Sequence, residues 1–371
     1  MSWTLSATNL RHGLERHWRF DMIVLASRGI RLAFDPSLGQ IVRFVVTEGA
    51  REIAPLHRAP WDETGEVLPD GLPPHLYHLG GDFFCAPFAA EKDGAPPHGW
   101  PANARWHLQN ASPDRLSARL SKTVQGAIVT KELWLCPDQP FVYQRHTFVG
   151  GSGRVPVSNH ANVSLPNGGL IRTSPKQVWV TPPTPLEPDA GRGRSGLTYP
   201  ATSTDPTAFP AGAGTADLTR YPWFDRHEDF VSAVEAPGHR LGWTAVTRPA
   251  EGDVFLSLRR TDQLPMTMLW HSNGGRDYEP WSGRHRACLG VEEGAAQHML
   301  GEDHGLPLTG PGDFKLNNEC AMSVSHVIGA VAWPSGSAIR SVELAGGQLV
   351  LCGEDGSRRE VPFDKDALEL A

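Results

Sequence analysis

The sequence has little charge and few cysteines for a chain of 371 residues, and both shortages exclude classes of protein. Charged residues make up 20% of the chain, and the net charge of −7 gives a pI near 6.1. Binding to a phosphate backbone needs clustered Lys and Arg, so we expect no nucleic-acid partner. The five cysteines include no CxxC pair, which argues against a disulfide framework or a zinc motif and favours a cytoplasmic protein.

Long apolar runs and the common cofactor motifs are also missing. No segment approaches about 20 apolar residues, and the N-terminus lacks the apolar centre of a signal peptide, so we expect no membrane partner. There is no P-loop, no GxGxxG after a strand and no GxSxG. His227-Glu228 begins like the zinc motif HExxH, but Val231 stands in place of the second His. His285 and His298 are too far apart for a local zinc pair, so we expect neither metal nor cofactor.

What the sequence does contain is glycine, proline and an alternation of apolar and polar positions. Its 39 glycines and 32 prolines disfavour long helices. Residues 127–135 and 141–149 alternate with the period of two that is typical of strands. Residues 181–222, rich in Pro, Gly, Ser and Thr, are predicted to form a long surface loop within one domain that covers residues 1–371. The pattern predicts an all-β fold with few short helices.

Two histidines stand in settings that suit chemistry as well as ordinary structure. His98 precedes Gly99 in PPHGW, where a glycine can turn the backbone sharply and leave the imidazole facing a cleft. His160 follows a strand pattern in NHANVSLP, and an imidazole can act as a general acid near neutral pH. A turn or loop histidine bonded to backbone explains either position equally well, so neither residue decides the function alone.

Two acidic segments are further candidates. In CLGVEEG, Glu292 ends an apolar run, where burial can raise the pKa of a carboxyl group and suit it to act as a base. Its neighbour Glu293 would point to the opposite face of a strand. In RYPWFDRHEDFV, Asp225 lies among polar and aromatic residues that suit either a cleft wall or a solvated loop. The chain also has twelve tryptophans, which can stack on sugar rings but serve protein cores equally well.

Taken in order, these segments resemble the aldose 1-epimerase, or galactose mutarotase-like, superfamily. The resemblance spans roughly residues 30–350 and rests on GGDFFCAPFA, PPHGWPANARW, NHANVSLP, FDRHEDFV and CLGVEEG. It implies a single domain with the β-supersandwich fold of the galactose mutarotase-like type. In that family a base and an acid open and close the sugar ring, which interconverts the α and β anomers.

The resemblance also implies roles for individual residues. Glu292 would be the base, His160 the acid, and His98 the group that orients the sugar and stabilises charge on its ring oxygen. The implied substrate-binding residues are Arg105, Asp225 and Asn162 for hydroxyl groups, and Trp100, Trp223 or Trp270 for stacking on the ring. A carboxylate and an imidazole suffice for this proton transfer, so no cofactor is implied.

Departures from the family pattern leave the sugar open. Ala102 stands where the family has an Arg three residues after the His-Gly pair, and Trp100 replaces a Phe. The expected partner is therefore a small-molecule sugar or sugar phosphate, bound by a monomer or a homodimer.

Two other classes of function remain open on the sequence alone. One is a non-catalytic sugar-binding or sensing protein, which needs the aromatic cleft but no acid–base pair. The other is a polysaccharide lyase or glycoside hydrolase, for which Glu292 and Asp225 would be the two carboxylates, about 5 to 10 Å apart. A similar fold does not decide whether the protein is an epimerase, a sugar-binding protein, or a lyase or hydrolase.

Overall fold

A computed structural model gives the fold for residues 22–89, 94–299, 306, 308 and 312–370. The N-terminal stretch, over which the sequence predicts no signal peptide, lies outside these described residues. Within them, no helix combines the length and the apolar character that crossing a membrane requires.

Strands make up most of the regular structure, which confirms the predicted all-β class. In chain order they are β1 (Ile23–Ser27), β2 (Ile30–Asp35), β3 (Gln40–Glu48), β4 (Arg51–Ile53), β5 (Asp82–Cys85), β6 (Trp106–Ala111), β7 (Arg115–Val124), β8 (Ala127–Leu135), β9 (Phe141–Val155), β10 (Val157–Ser164), β11 (Gly169–Thr173), β12 (Lys176–Val180), β13 (Thr202–Ser203), β14 (Phe209–Ala211), β15 (Gly214–Ala216), β16 (Arg220–Tyr221), β17 (His227–Glu235), β18 (Leu241–Arg248), β19 (Asp253–Arg260), β20 (Met266–Asn273), β21 (Cys288–Ala295), β22 (Phe314–Ala332), β23 (Ile339–Ala345), β24 (Gln348–Gly353) and β25 (Arg358–Pro362).

Helices are few and short in the described part of the chain, as the glycine and proline content predicts. The α-helices are α1 (Pro60–Thr64), α2 (Pro74–Tyr77) and α3 (Gly99–Asn103), and the 3-10 turns are Pro206–Ala208 and Lys365–Leu368. The two alternating segments at 127–135 and 141–149 form β8 and the first part of β9, which pair antiparallel.

Two large antiparallel sheets dominate the fold. Among the described residues the first sheet has eleven strands, in the order β1-β2-β3-β5-β10-β21-β20-β17-β12-β13 with β4 beside β3. The second has nine strands, in the order β16-β11-β18-β19-β22-β9-β8-β7-β6. A smaller antiparallel sheet joins β23, β24 and β25 near the C-terminus.

Three hydrophobic clusters pack against these sheets. The largest contains side chains from both large sheets, such as Val129, Val163 and Phe255, and fills the space between them. Another, which includes Val361 and Phe363, packs the small C-terminal sheet against the second sheet. The remaining one lies on the outer face of the first sheet, beneath the segments that carry α1, α2 and α3. The inner face of each large sheet and part of its outer face are therefore covered.

The alternation along β10 and β21 decides which side chains reach that outer face. On β21, Leu289 and Val291 belong to the core between the sheets, whereas Cys288 belongs to the outer cluster. Successive residues of a strand point to opposite faces, so Glu292 shares the outer face with Cys288, and Glu293 points inward.

The segment at 181–222 differs from the predicted long loop. It contains β13 to β16, and its Leu197, Phe209 and Leu218 are buried in the core between the sheets. Proline and glycine mark the turns of this segment, but bulky apolar residues spaced between them anchor it to the protein.

Candidate functional site

A buried histidine–glutamate pair lies on the outer face of the first sheet. His160 on β10 and Glu292 on β21 are directly opposite each other in the antiparallel register. The side chains meet with His160 Nε2 3.1 Å from Glu292 Oε1, and both are at least nine-tenths buried. Antiparallel neighbours in register bring side chains of the same face together, so the sheet itself fixes this pair.

Burial sets the protonation of the pair. It raises the pKa of Glu292 well above the usual value for a carboxyl group. It also lowers the pKa of His160 to about 3, because an imidazolium ion loses its hydration there. Both shifts favour neutral side chains with one proton between Oε1 and Nε2. Glu292 Oε2 and His160 Nδ1 are buried without a hydrogen-bond partner, so the pair retains unused polar atoms.

His98 completes a cluster of rings around this pair. Its ring centroid lies 5.4 Å from that of His160, and Phe83 stacks on His160 at 4.5 Å. The Nδ1 atom of His98 lies 3.5 Å from Cys85 Sγ. The structure therefore brings together the three residues to which the resemblance assigns catalysis.

Asn103 holds the backbone on both sides of His98. Its Nδ2 atom donates to the carbonyl oxygens of Pro97 and Gly99, each at 2.8 Å. Its Oδ1 atom accepts from the backbone N–H of His75 at 3.1 Å and lies 2.9 Å from His75 Nδ1. One amide thus connects α2, α3 and the turn that presents His98.

Gly99 is required beside His98 because no other residue fits there. Its φ of +71° lies in the left-handed region, and an added Cβ would lie 2.0 Å from the carbonyl oxygen of Ala86. Because that neighbour is backbone rather than a flexible side chain, the clash can be relieved only by moving one of the two segments.

We expect Gly99→Ala to lower the free energy of unfolding by about 3 kcal/mol or more, since backbone strain and a steric clash act together. Chemical denaturation would measure this loss. Gly346→Ala is the matched control, because Gly346 has a φ of +58° but open space around the added Cβ. The control should lose only about 1 kcal/mol. Equal losses in the two variants would show that the contact with Ala86 does not matter.

A cavity of about 300 Å³ opens above the pair. His98, His160, Trp270 and Glu292 line it, together with Arg276 and a largely apolar wall that consists of Leu72, Pro73, Leu76, Leu79, Phe88, Ala89, Pro97, Leu186, Phe230, Tyr278, Pro280 and Trp281. This volume is at the lower end of the range for small-molecule sites. The site can therefore hold a small ligand whose one apolar face stacks on aromatic rings.

A buried carboxylate behind the wall holds Arg276 and Trp270 in place. Glu228 accepts hydrogen bonds from Trp270 Nε1 and, at 2.9 Å, from Ser272 Oγ. Arg276 lies 3.3 Å from Glu228, and its guanidinium group lies 4.4 Å from the centroid of Trp281. The sequence analysis selected neither Glu228 nor Arg276 as a site residue. Glu228 lies in the charged segment FDRHEDFV, from which Asp225 was selected instead, and no sequence pattern indicated Arg276.

The other residues expected to bind substrate are not among the described residues that line this cavity. Asp225 and Arg105 are exposed. Trp100 packs against the core between the sheets, and Trp223 stacks on His271 with ring centroids 3.3 Å apart. Asn162 is buried, and its Nδ2 atom donates to the carbonyl oxygen of Gly81 at 3.2 Å.

Buried neutral histidines make the protein sensitive to acid. Burial lowers the pKa of His75 to about 4 and that of His326 to about 3, as it does for His160. An unfolded chain takes up these protons below pH 6.5, about the ordinary value for histidine, and the folded protein does not. The free energy of unfolding should therefore fall by roughly 1.4 kcal/mol per pH unit for each such histidine between about pH 6 and about pH 4.

Urea unfolding at a series of pH values would measure this slope. Replacing His326 by Gln should reduce the slope by about 1.4 kcal/mol per pH unit, the contribution of one proton. Replacing the exposed His107 by Gln should leave the slope unchanged. A stability that does not change across this range would contradict the prediction.

Comparison with known proteins places the fold. No protein-family model matches the chain, and no curated protein matches it in sequence. Solved structures do match its fold, and three of them are described here. A galactose mutarotase related enzyme from Lactobacillus acidophilus has a TM-score of 0.55 at 10% identity, over 84% of this chain and 98% of its own. A candidate aldose 1-epimerase from Escherichia coli K12 has a TM-score of 0.57 at 13% identity, over 84% and 99%. A galactose mutarotase-like protein from Lactobacillus casei has a TM-score of 0.50 at 11% identity, over 84% and 100%.

These similarities establish the galactose mutarotase-like sandwich that the sequence motifs predict. At such identities they show the architecture and not the reaction.

Proposed function

We propose that this protein interconverts the anomers of a small sugar by acid–base opening of the sugar ring, the reaction of an aldose 1-epimerase. The observation that carries the proposal is the contact of 3.1 Å between His160 Nε2 and Glu292 Oε1 at a cavity of suitable size. Fold similarity to galactose mutarotase-like proteins supports it.

Ring opening needs one group to remove a proton and another to supply one. Glu292 takes the proton of the hydroxyl group on C1, and the electron pair left on that oxygen forms the carbonyl bond as the bond from C1 to the ring oxygen breaks. His160 gives its Nε2 proton to the ring oxygen. Rotation about the C1–C2 bond and the reverse transfers close the ring as the other anomer. His98, beside His160, orients the sugar and stabilises the charge that develops on the ring oxygen.

The proton count of the pair suits this reaction. The reacting state, a carboxylate with an imidazolium ion, contains the same number of protons as the neutral pair that burial favours. The protein therefore reaches it by moving one proton across the bond between Oε1 and Nε2, without exchange with solvent. The apparent pKa values of the activity then belong to the pair and not to either residue.

The charges of the cavity favour an unphosphorylated sugar. Arg276 is the one Lys or Arg among the described residues that line it, and Glu228 already neutralises its charge. Glu279 and Glu292 line the same cavity, so a phosphate dianion would face two carboxyl groups and no free cation among these residues. Tyr278, Trp270 and Trp281 supply aromatic surface for the apolar face of a sugar ring.

Saturation-transfer NMR of anomer exchange tests the proposal directly. The panel should contain hexoses, pentoses and deoxy sugars, each hexose being compared with its phosphate. We expect faster exchange for at least one free sugar and a smaller effect for its phosphate. Sugar binding in titration calorimetry without faster exchange would overturn the catalytic role and favour a binding protein. Hydrolysis of a glycoside would require a second carboxylate beside Glu292. Asp225 is exposed outside the cavity, whereas Glu279 lines it, so release of free sugar from a glycoside would overturn the proposal in favour of a hydrolase.

A further inference from the structure

Three residues that are distant in the sequence converge behind the aromatic wall of the cavity. His57, His285 and Cys288 are all buried, and one donor atom from each lies within 4.8 Å of the others. The rings of the two histidines meet edge to face with centroids 4.9 Å apart. The reaction proposed above uses none of the three.

Each of the two imidazoles has one nitrogen atom without a hydrogen-bond partner. The Nε2 atoms of His57 and His285 are buried and have no hydrogen-bond partner. Both residues are more than nine-tenths buried, with exposed fractions of 8% for His57 and 1% for His285. Buried polar atoms are nearly always hydrogen-bonded, so two unpartnered nitrogen atoms on neighbouring rings require an explanation.

The neighbours of His285 fix it in the form that binds metals. Ser272 Oγ lies 2.8 Å from His285 Nδ1 and donates its own hydrogen to Glu228 at 2.9 Å. A hydroxyl group has a single hydrogen to donate, so its oxygen accepts the Nδ1 hydrogen of His285. The Nε2 atom is then the one with the free electron pair. A chain from a carboxylate through a hydroxyl group to histidine is the kind of support that orients metal-binding imidazoles.

We propose that His57, His285 and Cys288 form a zinc site. Two neutral imidazoles and a thiolate are typical protein ligands of Zn²⁺, and three of them leave one of its four positions for a water molecule. This inference is contrary to the expectation from the sequence, in which no local spacing of ligands indicates a zinc site.

Binding requires a small movement and the loss of one proton. Bonds of about 2.0 to 2.3 Å to zinc place two tetrahedral ligands roughly 3.3 to 3.7 Å apart, so the widest donor pair closes by about 1 Å. Cys288 now directs its thiol toward Asn162 Oδ1, 3.7 Å away. When zinc binds, the thiol proton leaves to solvent and the sulfur becomes a thiolate ligand, with no change of oxidation state.

The site would connect the segment before α1 to the start of β21. His57 lies in the chain between β4 and α1, and Cys288 is the first residue of β21. His285 stacks on Trp270, with ring centroids 5.5 Å apart, and Trp270 lines the cavity. Zinc would therefore stabilise the wall on which the ligand of the cavity rests, without touching that ligand.

Metal binding by the full, reduced chain tests the proposal. After treatment with a chelator, the protein should take up about one Zn²⁺ per chain, measured by elemental analysis and titration calorimetry, with a rise in melting temperature. Co²⁺ in place of zinc should give a near-ultraviolet charge-transfer band from the thiolate. Cys288→Ser and His285→Gln should each weaken zinc binding by about a hundredfold and remove the rise in melting temperature. Cys288→Ser should also remove the cobalt band.

Cys352→Ser, which changes a partly buried cysteine elsewhere, is the matched control and should bind zinc as the unchanged chain does. If a variant fails to fold, the cobalt spectrum of the unchanged chain can still overturn the site. Absence of the thiolate band, or zinc binding that Cys288→Ser does not weaken, would overturn the site. Uptake of copper in preference to zinc would overturn the assignment of the metal. None of these measurements involves a sugar, so the zinc site and the proposed reaction can fail separately.

Discussion

Glu292→Gln should slow anomer exchange by about a thousandfold, because the amide cannot take a proton from the sugar hydroxyl group. Gln has nearly the same shape and keeps an oxygen atom near His160, so the cavity should persist. Saturation-transfer NMR on the sugar that the unchanged protein accepts would measure the loss, and calorimetry would show whether the variant still binds that sugar.

The stability of this variant provides an internal control with a definite sign. Burial raises the pKa of Glu292, so the folded protein binds a proton that the unfolded chain has already lost above about pH 4.3. The free energy of unfolding of the unchanged protein therefore falls as the pH rises above that value, and Gln removes this loss. Glu292→Gln should match the unchanged protein at about pH 4 and exceed it increasingly toward pH 7. Full exchange activity in the variant would remove Glu292 from the mechanism.

The sequence predicts the fold well because its main signal is local. Period-two alternation at 127–135 and 141–149 needs only neighbouring residues to be recognised, and both became strands. The prediction of a surface loop for residues 181–222 was wrong, because Leu197 and Phe209 are buried by residues that are distant in the sequence. Composition alone contains no information about such long-range contacts.

The site was predictable where sequence motifs contain its residues, and not where only packing brings residues together. His98, His160 and Glu292 follow the order of family motifs, and the structure places them together. Glu228 lies on β17 and Arg276 lies shortly after β20, and the two meet at the cavity because these strands are neighbours in the first sheet.

The pair Glu292–Glu293 shows what alternation can and cannot decide. A strand must send the two carboxyl groups to opposite faces, but its sequence does not say which face holds the site. The neighbouring elements decide which face holds the site. His160 on β10 contacts Glu292, and Arg259 on β19 contacts Glu293.

Glu293→Gln should have the opposite consequence: a large loss of stability with exchange activity retained in the folded fraction. Glu293 lies between the two large sheets, 2.8 Å from Arg259 NH1, and accepts hydrogen bonds from Thr244 at 2.7 Å and Thr267 at 2.8 Å. Arg259 also pairs with Glu235, which is bound by Lys176 as well. The substitution leaves two buried cations facing one carboxylate.

Removing one partner of a buried ion pair costs about 3 to 5 kcal/mol, because the remaining charge is still desolvated. Denaturant unfolding of Glu293→Gln would measure this cost. Replacing Arg259 and Glu293 together by Met should recover part of it, since Lys176 and Glu235 then remain as a balanced pair. If Glu293→Gln were fully stable but inactive, the base would be Glu293 rather than Glu292. Because the two residues are adjacent, this comparison separates the chemistry of the outer face from the packing between the sheets.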